Sequence, residues 1–184
     1  MAFHDSQIVA GLLTAYCEGA FPMADPESGS IDWYAPDPRA LMPLKLETAR
    51  GSGDGFHISR SLARRIRSRR FMLTADTAFE RVIRACAEPR PDHDGTWIDE
   101  RIIHWYTTLH RHNHAHSVEA WLPQAEAGEA PVLVGGGYGV SIGAAFFAES
   151  MFSRPALGGT DASKVCLAHL VAHLRRCGYT LMDV

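Results

Sequence analysis

The residues best equipped for chemistry lie late in the chain. In "FFAESMFSR", residues 146–154, an ionisable carboxylate, Glu149, stands between Phe146 and Phe147 on one side and Met151 and Phe152 on the other. A charge in such an apolar wall is costly unless it is paired. Glu149 therefore needs either a structural partner or a cationic ligand. A second carboxylate, Asp183, lies in the final "YTLMDV". Both segments read as strands, and adjacent strands of one sheet would bring the two acids together. Flanked by Phe146, Phe147, Met151, Phe152 and Met182, they would form an apolar pocket with an acidic edge. Two caps or a single buried hydrogen bond is the plainer alternative.

Arginine forms the second cluster. Arg60, Arg64, Arg65, Arg67, Arg69 and Arg70 occur with no acid among them. Helical spacing puts Arg60, Arg64 and Arg67 opposite Leu62 and Ile66. Without i,i+4 acids the cluster repels itself. The planar arginine fork donates two hydrogen bonds at once, which suits phosphate, so a phosphate backbone is one reading and a solvated helix face the other. Trp97, in "DGTWID" ahead of a helix, can be exposed and stack a nucleobase for about 1–3 kcal/mol. Trp105 and Trp121 are expected in the core. His110, His112, His114 and His116 straddle a helix end and lack the convergent pattern of a zinc site, so no metal is expected. "GGGYG" at 135–139 has neither the P-loop nor the dinucleotide order. Glycines within a strand instead let a ligand or a backbone come close.

The elements that position these residues follow from their periodicity. Ile8, Leu12 and Tyr16 mark a helix capped by Ser6 and closed by Gly19. Residues 21–43 are rich in proline and read as turns and short strands. "RGSGDG" at 50–55 is a plausible seam between a small N-terminal domain, residues 1–54, and a main domain, residues 55–184. Three helices are expected next: "SRSLARRIRSRR", "DTAFERVIRACA" capped by Asp76 or Thr77, and "DERIIHWYTTLHRHN" with Ile102, Ile103, Tyr106 and Leu109 inward. "HSVEAWL", "VLVGGGYGV" and "SIGAAFFAES" read as successive antiparallel strands. A helix over 162–177, stopped by Gly178, leads to a last strand. Strands, helix and strand make an α/β (α+β) layer with one mixed sheet.

The 184 residues are 46% apolar with a formal charge of -3, enough for a core and against nucleic acid on average charge alone. The four cysteines form no CxxC pair, and "MAFHDSQ" has no leader pattern. Free thiols in a cytoplasmic protein are expected. No apolar run is long enough to span a bilayer.

Matching segments run in one order along almost the whole chain: "AYCEGAFPM", "WYAPDPRALMPL", "FHISRSLAR", "DGTWID", "HAHSVEAW", "LVGGGYGVSIGAAFFAESMFSR", "DASKVCLAHL" and "LMDV". In these the sequence resembles the bacterial leucyl/phenylalanyl-tRNA–protein transferases. The resemblance implies a Gcn5-related acetyltransferase-like domain behind a small N-terminal domain, without a cofactor and expected to be monomeric. It implies an enzyme that moves Leu or Phe, less often Met, from tRNA to a protein beginning with Arg or Lys, marking it for degradation by the N-end rule. By that resemblance Asp183 is the catalytic aspartate and Glu149 holds the acceptor's basic residue. Phe146, Met151 and Met182 belong to the pocket for the transferred side chain, Trp97 stacks the terminal adenosine, and Arg60, Arg64 and Arg67 face the tRNA. Gly137 stands where the family often has a bulky residue, which implies a wider pocket. Met23 stands where some members have a second adenosine-contacting tryptophan. The family continues to a glutamine two residues past the aspartate, whereas these residues end at Val184. Two alternatives therefore stay open: an inactive aminoacyl-tRNA-binding protein and, with only a poor pyrophosphate loop in "RPALGGTDASK", an acyl-CoA N-acyltransferase.

Overall fold

Helix α1 (Ala2–Cys17) opens the chain and buries Leu12 and Tyr16, the face its apolar spacing predicts. The structure, a computed structural model, describes residues 2–44, 56–89, 95–124 and 129–184. The seam expected at 50–55 lies outside the described residues. The helix starts before Ser6, the expected cap, with Asp5 in its first turn favouring the positive end of the dipole. Gly19, at φ +83°, ends it in the left-handed conformation that glycine tolerates. Strands β1 (Phe21–Ala24) and β2 (Ile31–Tyr34) then form a two-stranded antiparallel ribbon. Asp25 closes its turn, accepting from the backbone N–H groups of Glu27 and Ser28 at 2.8 and 2.7 Å.

The main sheet has six strands: β3 (Leu41–Pro43), β4 (Met72–Ala75), β5 (Ala115–Leu122), β6 (Val132–Ile142), β7 (Ala145–Ser153) and β8 (Leu181–Asp183). Their spatial order is β3-β8-β7-β6-β5-β4, and only the β7–β8 pair is parallel. Helix α5 (Ala162–Arg176) supplies the crossover that a parallel pair requires. Helices α3 (Phe79–Cys86) and α4 (Glu100–Arg111) join α1 over one face, packing Val82, Ile102, Tyr106 and Leu109 against Tyr138 and Val140. Helix α2 (Arg60–Arg67) and α5 cover the other, where Leu62 and Val165 meet Val118 and Val134. The protein is thus a mixed α+β fold.

Two expectations need correction. The three helices are not consecutive, because β4 lies between α2 and α3 and pairs with β5 at the sheet edge. Four residues with an exposed Met72 are too short to show a two-residue period. Neither Asp76 nor Thr77 caps α3, whose N-cap is Ala78 with no side-chain bond. Asp76 instead accepts from the Ser117 N–H at 2.8 Å and pairs with His116 Nδ1, also at 2.8 Å. The Thr77 hydroxyl donates to Glu119 at 3.0 Å.

The glycine run in β6 brings α5 onto the sheet. A Cβ on Gly135 would lie 2.4 Å from the Ala162 Cβ and 3.1 Å from the α5 backbone. Only a bare glycine permits that approach. Among the described residues no helix is long and apolar enough to cross a membrane.

Candidate active site

Strand register explains how the two carboxylates meet. β7 and β8 pair only from Ala145↔Leu181 to Phe147↔Asp183, and β7 then runs on to Ser153. Glu149 follows two residues after Phe147, at an irregularity where Tyr138 pairs with Ser150 and Gly139 with Ala148. Glu149 is thus the extra residue of β7 and borders the same cavity as Phe147. Phe147, Glu149 and Asp183 border a cavity of about 380 Å³, with Arg39, Met23 and Trp97 on its other walls. Met23 and Trp97 also wall a neighbouring cavity of about 420 Å³ that reaches Ser150, Glu88 and Asp25.

Glu149 has protein partners as well as a cavity. The Tyr16 hydroxyl donates to Oε1 and the Tyr106 hydroxyl donates to Oε2 at 3.2 Å. The two phenol oxygens are themselves 2.5 Å apart. Burial pushes the Glu149 carboxyl up to about 7; the two tyrosine bonds oppose that rise, Asp183 adds to it and Arg39 offsets it. Burial, then the Glu149 charge, raises the Tyr16 hydroxyl well above its ordinary value, so it remains a donor at neutral pH. The result is an acid that changes charge near neutrality beside a cavity, a suitable seat for a cation. Glu119, by contrast, accepts from Ser117, Thr74 and Thr77 and borders neither acid-walled cavity. Its role is structural.

Asp183 is held from the N-terminal side. Arg39 Nε and Nη2 both reach Oδ2 at 2.8 Å, and Arg39 Nη1 donates to the Gly19 carbonyl at 2.5 Å.

The apolar residues lie elsewhere. Phe146 and Met182 are register partners facing α5, where they are buried with Leu44, Val171 and Leu174. Phe146 borders a third cavity, of about 290 Å³, between α5 and the sheet. Met151 lies over Gly137, since a Cβ there would sit 2.7 Å from Met151 Cγ, so the room left by the glycine is taken up by the methionine. Arg60, Arg64 and Arg67 are exposed along α2, and among the described residues none of the three has an ion-pair partner. Arg65 reaches Asp161 at 3.9 Å. Trp121 is buried, whereas Trp105 is half-buried and stacks on Trp33 with ring centroids 6.3 Å apart. Among the described residues no group of His, Cys, Asp and Glu could hold a metal ion.

Sequence reasoning placed Tyr16 and Tyr106 on buried helix faces but did not identify them as site residues, and it passed over Arg39. Spacing reports which face a tyrosine occupies, not where its hydroxyl goes. For Arg39 the available signal was a lone cation in a proline-rich stretch two residues before a strand.

Fold and site together define an α+β protein with an acid-walled cleft suited to an amine or guanidinium beside an aromatic wall. Comparison with known proteins narrows the class. Residues 52–184 match the family model described as leucyl/phenylalanyl-tRNA protein transferase, and residues 9–37 match that of its N-terminal domain. Curated proteins named leucyl/phenylalanyl-tRNA–protein transferase are similar at 49% identity in Salinibacter ruber, 48% in Gluconobacter oxydans and 47% in Paramagnetospirillum magneticum. Each match covers 94% of this chain and, in that order, 66%, 68% and 73% of the relative. The chain belongs to the leucyl/phenylalanyl-tRNA–protein transferase family, which is a family of aminoacyltransferases.

Proposed function

We propose that this chain transfers leucine or phenylalanine, less often methionine, from an aminoacyl-tRNA to the N-terminal arginine or lysine of an acceptor protein. The observation that carries the proposal is the cavity shared by Glu149 and Asp183. Glu149, as a carboxylate, binds the acceptor's basic side chain. Asp183 accepts a hydrogen bond from the acceptor α-amine and aims its lone pair at the ester carbonyl. Carbon–nitrogen bond formation then expels the ribose oxygen, which takes up the proton the amine loses.

The ester is already activated, and an α-amine with a pKa of about 7.7–8.0 keeps a neutral minority near neutral pH that can attack without strong base catalysis. Positioning is therefore the main task, and it can supply roughly 7–11 kcal/mol of the barrier. Trp97, with Met23 beside it, is the surface on which the terminal adenosine stacks. Phe146, Met151, Met182 and Gly137 are assigned to the transferred side chain by the family resemblance, and Phe146 borders the cavity between α5 and the sheet that would receive it. Arg60, Arg64 and Arg67 contact the tRNA backbone. Residues 1–54 and 55–184 are read as the small and main domains of a cytoplasmic monomer whose products enter N-end rule degradation. The matches to residues 9–37 and 52–184 support that division.

The test is transfer of labelled Leu or Phe from charged tRNA to short peptides beginning with Arg, Lys, Ala or Asp. Labelling of the Arg and Lys peptides alone is the expected result. Labelling of none, or of all equally, would overturn the reading.

A further inference from the structure

We propose that Arg39 is a positioning residue for Asp183, gripping one carboxylate oxygen so that the other faces the cavity and the acceptor amine. The inference rests on the role given to Asp183 above. Every nitrogen of the Arg39 guanidinium is engaged: Nε and Nη2 hold Oδ2, both at 2.8 Å, and Nη1 holds the Gly19 carbonyl at 2.5 Å. The guanidinium also sits 5.8 Å from the centre of the Phe21 ring. A planar fork fixed on three sides fixes its carboxylate too. Among the described residues nothing hydrogen-bonds to Asp183 Oδ1, and the side chain borders the cavity.

Backbone pairing delivers the arginine. β3 pairs with β8 through Leu41↔Asp183, and the Val184 N–H donates to the Ala40 carbonyl at 3.0 Å. Arg39 therefore emerges immediately beside the aspartate. The C-terminal end of α1 then serves both acids. Tyr16 donates to Glu149, and three residues later the Gly19 carbonyl anchors the arginine that holds Asp183. A cation at a helix C-terminus is also favoured by the helix dipole.

The Arg39 charge reaches Glu149 as well. The titratable and charged groups around Glu149 are Tyr16 from α1, Tyr106 from α4, Tyr138 from β6, Asp183 from β8 and Arg39, which alone of these is cationic. Removing it leaves Asp183 as an uncompensated neighbour, so Glu149 holds its proton to higher pH.

The experiment measures transfer kinetics against pH for the wild type, Arg39→Ala, Arg39→Lys and Asp183→Asn, with melting curves for each. Arg39→Ala should lower kcat/KM for an Arg-starting peptide by about 100-fold, the cost of a small misplacement. Its acid limb should move to higher pH, and KM for aminoacyl-tRNA should hold within about twofold. Free guanidinium should restore about tenfold of the loss in Arg39→Ala and nothing in Asp183→Asn. Arg39→Lys keeps the charge without the fork, so its limb should stay in place while the rate falls by about tenfold. A folded Arg39→Ala or Arg39→Lys protein with wild-type kinetics overturns the inference. So does an Arg39→Ala loss that guanidinium leaves unchanged, with the limb unmoved. A wild-type protein without transfer would instead sink the functional reading itself.

Discussion

Glu149 is where folding and function pull against each other. Its carboxyl is raised from an ordinary 4.5 to about 7 by burial, so between those values the folded state binds a proton that the unfolded state has lost. Stability from this group is therefore complete at low pH and is lost as pH rises through about 7, by something on the order of 3 kcal/mol. Glu149→Gln removes the titration. Thermal melts should show its advantage over wild type growing from pH 5 to pH 8, and a constant difference would contradict the assignment. Activity should run the other way, because only the carboxylate binds a cation. For the wild type, kcat/KM toward an Arg-starting peptide should rise through pH 7, reporting the free protein. In Glu149→Gln that limb should vanish, leaving only the amine's own titration near ~8. The acid itself was legible in the sequence because a lone carboxylate among Phe and Met is anomalous. Tyr16, Tyr106 and Arg39 were not, since their roles depend on hydroxyl and guanidinium directions that only tertiary structure sets.

At the scale of elements, the site depends on β7 and β8 pairing briefly and then parting. The last register pair places Phe147 beside Asp183, and the free continuation of β7 carries Glu149 to the cavity. α5, which connects β7 to β8, is seated on the sheet where its first turn meets Gly135 of β6. Gly135→Ala should therefore lift the helix start and destabilise the protein by about 1–3 kcal/mol, read as a lower urea midpoint; an unchanged midpoint would remove this support. α2 acts separately. Replacing Arg60, Arg64 and Arg67 by Ala should weaken tRNA binding and flatten its salt dependence by about one unit of slope for each lost phosphate contact. A filter-binding series over salt checks this, and an unaltered slope would assign α2 to solvent. The long helices and the β5–β7 run were legible because each spans several periods. β4 was not, because four residues beside an arginine run carry too little pattern, and α3 lacks its expected cap because Asp76 and Thr77 are committed to β5.

In the molecule as a whole, the proposed site is assembled from segments far apart in sequence. α1 contributes Tyr16, the segment before β3 contributes Arg39, and β7 and β8 contribute the two acids. No single segment contains the site, and the N-terminal residues complete it as much as they cover it. Gripping the acceptor's positive charge with Glu149 is the central claim, and a four-way comparison tests it most directly. Transfer to a peptide beginning with arginine is measured against one beginning with citrulline, its neutral isostere, for wild type and for Glu149→Gln. The account predicts that wild type prefers arginine by about 100-fold or more and that Glu149→Gln shows almost no preference, a coupling of about 2–3 kcal/mol. The same preference in both proteins would contradict it.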